Sequence, residues 1–116
     1  DDDFAWHALV VLEDDRVVGV CDLLRSQLKR TQHVVELGIG FLPEYRGMGM
    51  GRALMEYAFD WMADKEITKV RLFVIEGNDI ALRMYDNMGF ARTGVYRKEV
   101  SGDNGFRDLL VMEKFL

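Results

Sequence analysis

The 116-residue sequence has a single cysteine, a single proline and two histidines. One cysteine, Cys21, cannot form an internal disulfide, and such sparing use of cysteine is typical of a reducing cytoplasm. His7, His33 and Cys21 lack the spacing of metal ligands, so we expect no bound metal. No apolar run approaches the roughly 20 residues of a membrane span, and no secretory signal follows Asp1. We therefore predict a cytoplasmic protein that does not cross a membrane.

Basic charge is also scarce, since the formal net charge is -5. This deficit argues against a nucleic-acid-binding surface. It is compatible with cationic partners such as polyamines, although a modest negative charge also simply aids solubility. The length suits one compact domain, so we expect residues 1–116 to form a single domain.

Hydrophobic patterning predicts six strands and two helices. The strands are expected at residues 4–12, 16–24, 34–42, 69–75, 95–100 and 106–115, and the helices at 51–64 and 78–88. The first two strands and the last two read as antiparallel hairpins, whereas the strand-helix-strand unit in between requires parallel pairing. We therefore predict an α/β (α+β) fold with a mixed, mostly antiparallel sheet, a central parallel pair and packed helices.

The first helix has two distinct sides. Leu54, Tyr57, Ala58, Trp61 and Met62 are expected to form its buried side. On the polar side, Arg52 and Glu56 are spaced to form an ion pair.

Between the third strand and the first helix lies a turn with glycine at every second position, Gly47, Gly49 and Gly51, bracketed by Arg46 and Arg52. Glycines let backbone N–H groups approach an anion closely, and a helix start adds unpaired N–H groups and a positive dipole end. The turn therefore predicts a phosphate cradle. A P-loop would need Gly-Lys-Ser/Thr here, and a Rossmann fingerprint has different spacing and position.

Two motifs carry a family resemblance. The segment Arg46-Gly47-Met48-Gly49-Met50-Gly51 resembles the Arg-x-x-Gly-x-Gly pyrophosphate signature of the GNAT superfamily of N-acetyltransferases. The later segment from Asn78 to Phe90 is similar to its second signature, Asn-x-x-Ala-x-x-x-Tyr-x-x-x-Gly-Phe, at every fixed position. The order of predicted elements also matches that fold from its second strand onward. The N-terminal strand and helices of the family are not evident, so we expect an N-terminally truncated domain.

The resemblance implies acetyl-CoA as co-substrate and assigns its contacts. The pyrophosphate would be held by Arg46, Gly47, Met48, Gly49, Met50, Gly51 and Arg52, and the pantetheine arm by the backbone of Phe41 and Leu42 and by Asn78. One backbone N–H at the end of the third strand would stabilise the oxyanion. Tyr85 would protonate the leaving thiolate. On the residues alone, Asn78 could also only cap its helix, and Tyr85 could only pack on the sheet.

A base is also needed to deprotonate the acceptor amine. Glu36 is our candidate, because it lies on the third strand and shares a face with Gly38 and Gly40, where missing side chains leave room for a substrate. The alternative is a solvent-facing strand residue.

The C-terminal pattern Gly105-Phe106-Arg107-Asp108 before an apolar strand resembles spermidine- and diamine-type members, and Asp108 is expected to fix the hairpin turn. The predicted acceptor is a small amine or polyamine. One alternative acceptor is a protein N-terminus or a lysine side chain, although Phe73 argues against the ribosomal-protein alanine subfamily. Two alternative functions are a non-catalytic acyl-CoA-binding module and a nucleotide-binding signalling domain. The resemblance also allows a homodimer.

Overall fold

The computed structural model describes residues 4–47 and 49–116. The chain divides into two compact units, one running to Val70 and including Leu116, and one covering residues 71–115.

The first unit begins with three antiparallel strands, β1 (Trp6–Glu13), β2 (Arg16–Arg25) and β3 (Val34–Phe41). Strands β1 and β2 meet at a two-residue turn in which Asp14 and Asp15 both have positive φ, 50° and 65°. Left-handed residues at both central positions are typical of a type I′ turn, whose twist matches that of the flanking strands. The predicted hairpin is confirmed, with Glu13 opposite Arg16.

Helix α1 (Met50–Met62) contacts all three strands with one apolar side. Its buried residues are Leu54, Met55, Ala58 and Met62, and the buried side chains of the strands include Cys21, Leu23, Val35 and Leu37. Full burial of a Leu or Met side chain contributes roughly 1.5–3 kcal/mol, so this layer holds the unit together. The prediction for Tyr57 is wrong, because its side chain is 63% exposed and Met55 occupies the interior instead.

Aromatic rings join the C-terminal end of α1 to β1. The imidazole of His7 stacks on the indole of Trp61 at 3.9 Å between centroids, and Phe4 meets the same indole edge-on at 5.0 Å. Burial is the main reason that the pKa of His7 lies below its usual value, because it disfavours the charged imidazolium; the charge of Lys65 acts in the same direction.

The next strand, β4 (Lys69–Ile75), starts beside the beginning of β3. The N–H groups of Thr68 and Lys69 both donate to the carbonyl of His33, at 3.0 and 3.2 Å. Since both strands start at this point, they run in the same direction. The predicted parallel pair is confirmed.

The second unit contains most of β4, helix α2 (Asp79–Asn87) and the hairpin of β5 (Ala91–Gly102) and β6 (Gly105–Phe115). The Glu76 N–H, just after β4, donates to the carbonyl of Asp108 at 3.0 Å, which sets β6 antiparallel to β4. The strands are hydrogen-bonded in the order β1-β2-β3-β4-β6-β5. The sheet is therefore mixed and mostly antiparallel, as predicted.

Helix α2 ends at a glycine with a Schellman motif. Gly89 has φ 91°, its N–H donates to the carbonyl of Asp86 at 3.1 Å, and the N–H of Phe90 donates to the carbonyl of Tyr85 at 3.0 Å. The rings of Tyr85 and Phe90 lie 5.7 Å apart, which supplies the apolar contact of this motif. Gly89 is therefore the left-handed residue that closes the helix.

The C-terminal hairpin differs from expectation in two respects. Strand β5 starts at Ala91, four residues before its predicted start, and its register against β6 shifts between Tyr96 and Val100. Asp108 does not fix the hairpin turn; its carboxylate accepts the backbone N–H of Lys98 at 2.8 Å, within this bulge. Lys98 has φ 54°, so the carboxylate stabilises a left-handed residue in mid-strand.

Among the described residues, no helix is long and apolar enough to cross a membrane.

Candidate functional site

The glycine turn lies directly before α1. Gly47 and Gly49 have φ of 76° and 77°, and Gly49 is the N-cap of the helix. A Cβ at either position would have no described heavy atom within 4 Å, so the two glycines are required by backbone conformation rather than by crowding. Met48, predicted to bind the pyrophosphate, lies outside the described residues.

The start of α1 has properties that suit an anion. No side chain in the described part of the chain caps it, and its first turn contains no acidic residue. The amides of Met50, Gly51 and Arg52 are therefore the first N–H groups of the helix, beside the positive end of its dipole. This arrangement can bind a phosphate group through backbone donors.

The two arginines that bracket the turn are already engaged. Arg46 donates from Nε to the carbonyl of Phe41 at 3.2 Å, and Arg52 donates from Nε to Glu56 Oε1 at 3.0 Å. The predicted ion pair of Arg52 is confirmed. Both contacts use one of the five N–H donors of a guanidinium, and both charges lie on exposed side chains.

At the end of β3, some backbone N–H and carbonyl groups point toward β2 and others point away from it. The Leu42 N–H donates to the carbonyl of Val18 at 2.9 Å and is therefore committed to β2. Because alternate residues of a strand point to opposite neighbours, the N–H and carbonyl of Phe41 point away from β2.

The ring of Phe41 depends on a glycine across the strand pair. Gly19 is its partner in the register, and a Cβ at Gly19 would lie only 2.3 Å from Phe41 Cε1. The absence of a side chain at Gly19 therefore lets the aromatic ring lie directly on the β2 backbone. This contact orients the residue whose backbone was predicted to bind the pantetheine arm.

Glu36 lies on the side of β3 that faces away from the buried residues Val35 and Leu37, and it is half-buried. On that side, a Cβ at Gly38 or Gly40 would meet none of the described heavy atoms within 4 Å, so the predicted open space beside Glu36 is present.

A second carboxylate borders the same space. Asp22 is the cross-strand partner of Gly38, and its Oδ1 accepts a hydrogen bond from Trp6 Nε1 at 3.1 Å. Asp22 and Glu36 are diagonal neighbours on adjacent strands. Asp22 was not predicted from the sequence, although its place in an otherwise apolar strand was a usable signal.

The second unit positions two predicted residues on α2. Asn78 is the N-cap, and its Oδ1 accepts the Ala81 N–H at 3.3 Å, so the capping role is confirmed. The cap uses only the oxygen of the amide; its two N–H donors take no part in that bond. Tyr85 is buried, with 7% of its surface exposed, and lies two turns further along the same helix.

The two units therefore each hold part of the predicted set. The first unit brings together Phe41, Leu42, Arg46, Gly47, Gly49, Met50, Gly51 and Arg52 around the start of α1, with Glu36 on the open side of β3. The second unit holds Asn78 and Tyr85 on one helix. Within the described ranges, no group of three or more His, Cys, Asp or Glu side chains could hold a metal ion.

Two contacts just before the glycine turn were also not predicted. Tyr45 Oη donates to Glu13 Oε2, and Arg16 approaches Glu44 at 4.0 Å. The partners are 32 and 28 residues apart in sequence, and neither spacing follows a helical or strand period. No local pattern could have identified them.

Comparisons with known proteins agree with these observations. The model of the "Acetyltransferase (GNAT) family" matches residues 1–90. A mycothiol acetyltransferase of Thermobispora bispora is 39% identical over 54 residues, which are 47% of this chain and 18% of the relative. The [ribosomal protein bS18]-alanine N-acetyltransferase of Escherichia coli K12 is 29% identical over 70 residues, 60% of this chain and 47% of the relative. The matched segments therefore span less than half the length of these two relatives.

A crystal structure of a GNAT-family acetyltransferase from Streptococcus pneumoniae superimposes on the whole chain with a TM-score of 0.90. The two sequences are 25% identical, and the match covers 69% of that protein. The fold predicted from the sequence is thereby confirmed.

Proposed function

This chain belongs to the acetyltransferase (GNAT) family, and on that basis we propose that it transfers an acetyl group from acetyl-CoA to a primary amine by direct attack. The observation that carries the proposal is the start of α1. A left-handed glycine caps the helix, no described side chain competes for its first amides, and β3 leads directly into the turn. A diphosphate is a good match for such a group of backbone donors.

Acetyl-CoA supplies an activated acyl thioester. Arg46, Arg52, the amide of Gly47 and the amides from Gly49 to Arg52 bind its pyrophosphate, with Met50 contributing backbone only. The backbone of Phe41 and Leu42, together with the amide of Asn78, binds and orients the pantetheine arm. Since the Leu42 N–H already donates to Val18, the Phe41 N–H is the donor that we assign to the carbonyl oxygen under attack.

Glu36 accepts a proton from the incoming amine, directly or through water. The half-buried carboxylate borders the space over Gly38 and Gly40, where an added Cβ would meet no described heavy atom within 4 Å. Asp22, on the opposite strand, adds a second negative charge beside that space and favours a cationic acceptor. These features support a small amine or polyamine as the acceptor.

Tyr85 donates a proton to the departing thiolate. The O–H of a phenol, whose reference pKa is about 10, can donate a hydrogen bond and a proton to a nearby thiolate. Tyr85→Phe should lower kcat at least tenfold, because general acid catalysis contributes about 10²–10⁴-fold, and it should leave the Kd for acetyl-CoA unchanged. A variant with wild-type kcat would show that Tyr85 only packs in the interior.

The proposed activity is tested by thiol release from acetyl-CoA with a panel of spermidine, short diamines, amino acids, aminoglycosides and alanyl peptides. Release with the amines confirms the proposal and names the substrate class. Binding of acetyl-CoA without release across the whole panel would overturn it in favour of a non-catalytic acyl-CoA-binding module.

A second candidate acceptor is the α-amine of a protein N-terminus, and the similarity to the E. coli ribosomal-protein alanine acetyltransferase favours it. Peptides that begin with alanine distinguish the two candidates. Turnover of such a peptide, with none for spermidine, would select the protein acceptor.

A further inference from the structure

The segment that leads into the glycine turn is tied to the β1–β2 hairpin. Tyr45 Oη donates a hydrogen bond to Glu13 Oε2, at the end of β1, and Arg16 at the start of β2 lies 4.0 Å from Glu44. We call these four residues the hairpin clamp. The two contacts join neighbouring residues of one short 3-10 turn, Pro43–Tyr45, to the two ends of one hairpin turn.

Leu42, just before this turn, is also bonded to β2 through Val18, and the other hydrogen bonds of residues 43–46 in the described part of the chain are local. Tyr45 and Arg46 donate their N–H groups to Leu42 and Pro43, at 2.9 and 3.2 Å, which closes the 3-10 turn on itself. Beyond Arg46 come two left-handed glycines, and glycine loses more conformational freedom on ordering than any other residue. The direction in which the chain enters the glycine turn is therefore set by the clamp and by the Leu42–Val18 bond rather than by the glycines.

We propose that Tyr45 and Glu13 are positioning residues for the diphosphate of the co-substrate: by holding the 3-10 turn against the hairpin, they keep the amides after Arg46 aligned for the anion. This inference rests on the proposed function, since it concerns the same anion site. Neither residue needs to touch the ligand.

Because Glu13 is charged, the direction in which its removal changes the affinity for coenzyme A tests the inference. Glu13 and Glu44 are both negatively charged. Glu44 is close in sequence to the glycine turn, which would bind an anion, and Glu13 is hydrogen-bonded to Tyr45, just before that turn. If these carboxylates acted only through their charge, removing Glu13 would strengthen binding of coenzyme A. If Glu13 acts by holding Tyr45, removing it weakens binding, and Tyr45→Phe, which changes no charge, weakens it as well. The hydrogen bond to Glu13 raises the pKa of Tyr45, which keeps the phenol a donor at neutral pH.

The experiment measures the Kd of coenzyme A by calorimetry for the full chain and for Tyr45→Phe, Glu13→Ala, Glu13→Gln and the double variant Glu13→Ala/Tyr45→Phe. Loss of one exposed hydrogen bond to a charged group should raise Kd about five- to tenfold. Glu13→Gln keeps an acceptor oxygen and should stay within about twofold of wild type. The double variant should be no weaker than the single ones, because both remove the same bond.

Two controls separate positioning from a general loss of stability. Tyr57→Phe removes the hydroxyl of another tyrosine of the same unit, 63% exposed, and should leave Kd unchanged. S-acetylpantetheine lacks the diphosphate, so its Kd, from competition with coenzyme A, should be the same for wild type and Tyr45→Phe. Thermal unfolding midpoints identify a variant that has lost its fold. If Tyr45→Phe has lost its fold, the Kd of Glu13→Ala decides whether the clamp positions the anion site.

The outcomes are distinct. A Tyr45→Phe chain with wild-type affinity, an equal loss for S-acetylpantetheine, or tighter binding by Glu13→Ala overturns the positioning role and leaves the proposed function intact. A wild-type chain that binds no coenzyme A overturns both. Weakened binding by the variants, in a chain that binds but releases no thiol, supports the positioning role and removes only the enzymatic activity.

Discussion

The glycine that caps α1 allows the anion-binding proposal to be tested against backbone strain. Gly49 has φ 77° and ψ 1°, and a Cβ there would meet no described atom within 4 Å. Gly49→Ala should therefore cost only the left-handed conformation, about 1–2 kcal/mol. A loss of 1 kcal/mol lowers Tm by roughly 4–8 °C in a domain of about 100 residues.

The loss of binding free energy for acetyl-CoA should exceed the free energy of this backbone strain. A hydrogen bond from a backbone N–H to a charged phosphate contributes about 1.5–3 kcal/mol, so displacing one donor should raise Kd about ten- to a hundredfold. Gly105→Ala is the matched control, because Gly105 also has positive φ, 110°, and open space, but lies in the β5–β6 hairpin. Calorimetric Kd and Tm should be measured on both variants.

Two outcomes matter. If Gly49→Ala loses affinity and Gly105→Ala loses only stability, the amides at the start of α1 bind the co-substrate. If both variants keep the wild-type Kd within twofold, the reasoning is refuted and the anion binds elsewhere.

Three further predictions concern single side chains. Asn78→Ala should lose about 1 kcal/mol of stability with the helix cap, whereas Asn78→Asp should keep the cap and lose only acetyl-CoA affinity; wild-type affinity in Asn78→Asp would restrict Asn78 to capping. Burial raises the pKa of Cys21 to about 12, so at pH 8 its protonated thiol should react with Ellman's reagent only after denaturation, and rapid reaction in the native protein would contradict the buried site. The folded-state pKa of His7 lies below its unfolded value, so its neutral form contributes stability above about pH 6.5 that declines as pH falls; urea midpoints at pH 7.5 and 5.5 should fall more for wild type than for His7→Phe.

Local signals in the sequence accounted for most of the fold. Apolar runs rich in β-branched residues predicted the first hairpin and β4, and Asn78 predicted the start of α2 as its possible cap. These features depend on residues close in sequence, where backbone preference and hydrogen bonding act directly.

The errors have a different origin. Tyr57 and Met55 both fit an apolar helix side, and only the position of the neighbouring strands decides which of them is buried. Asp108 was assigned to the adjacent turn because that was its nearest polar environment, whereas its partner, the Lys98 N–H, lies ten residues earlier across the strand pair.

The candidate site shows the same division. The glycine turn and Asn78 were predictable because their chemistry is local to a helix start. Two other contacts were not predictable: the Phe41 ring on Gly19 depends on the strand register, and the Tyr45–Glu13 bond depends on the meeting of distant segments.

Two carboxylates, Asp108 and Glu76, support the bulge in the C-terminal hairpin, and this arrangement leaves the tip of the hairpin available for modification. Asp108 holds the Lys98 N–H, and Glu76 Oε1 in turn accepts the Asp108 N–H at 2.8 Å, so the bulge of β5 is built from outside its own strand. The tip of the hairpin, residues 103–104, supplies neither contact. An epitope, fluorophore site or purification tag inserted at that tip should thus leave these supporting contacts unchanged. The tip is therefore a suitable place to immobilise the protein.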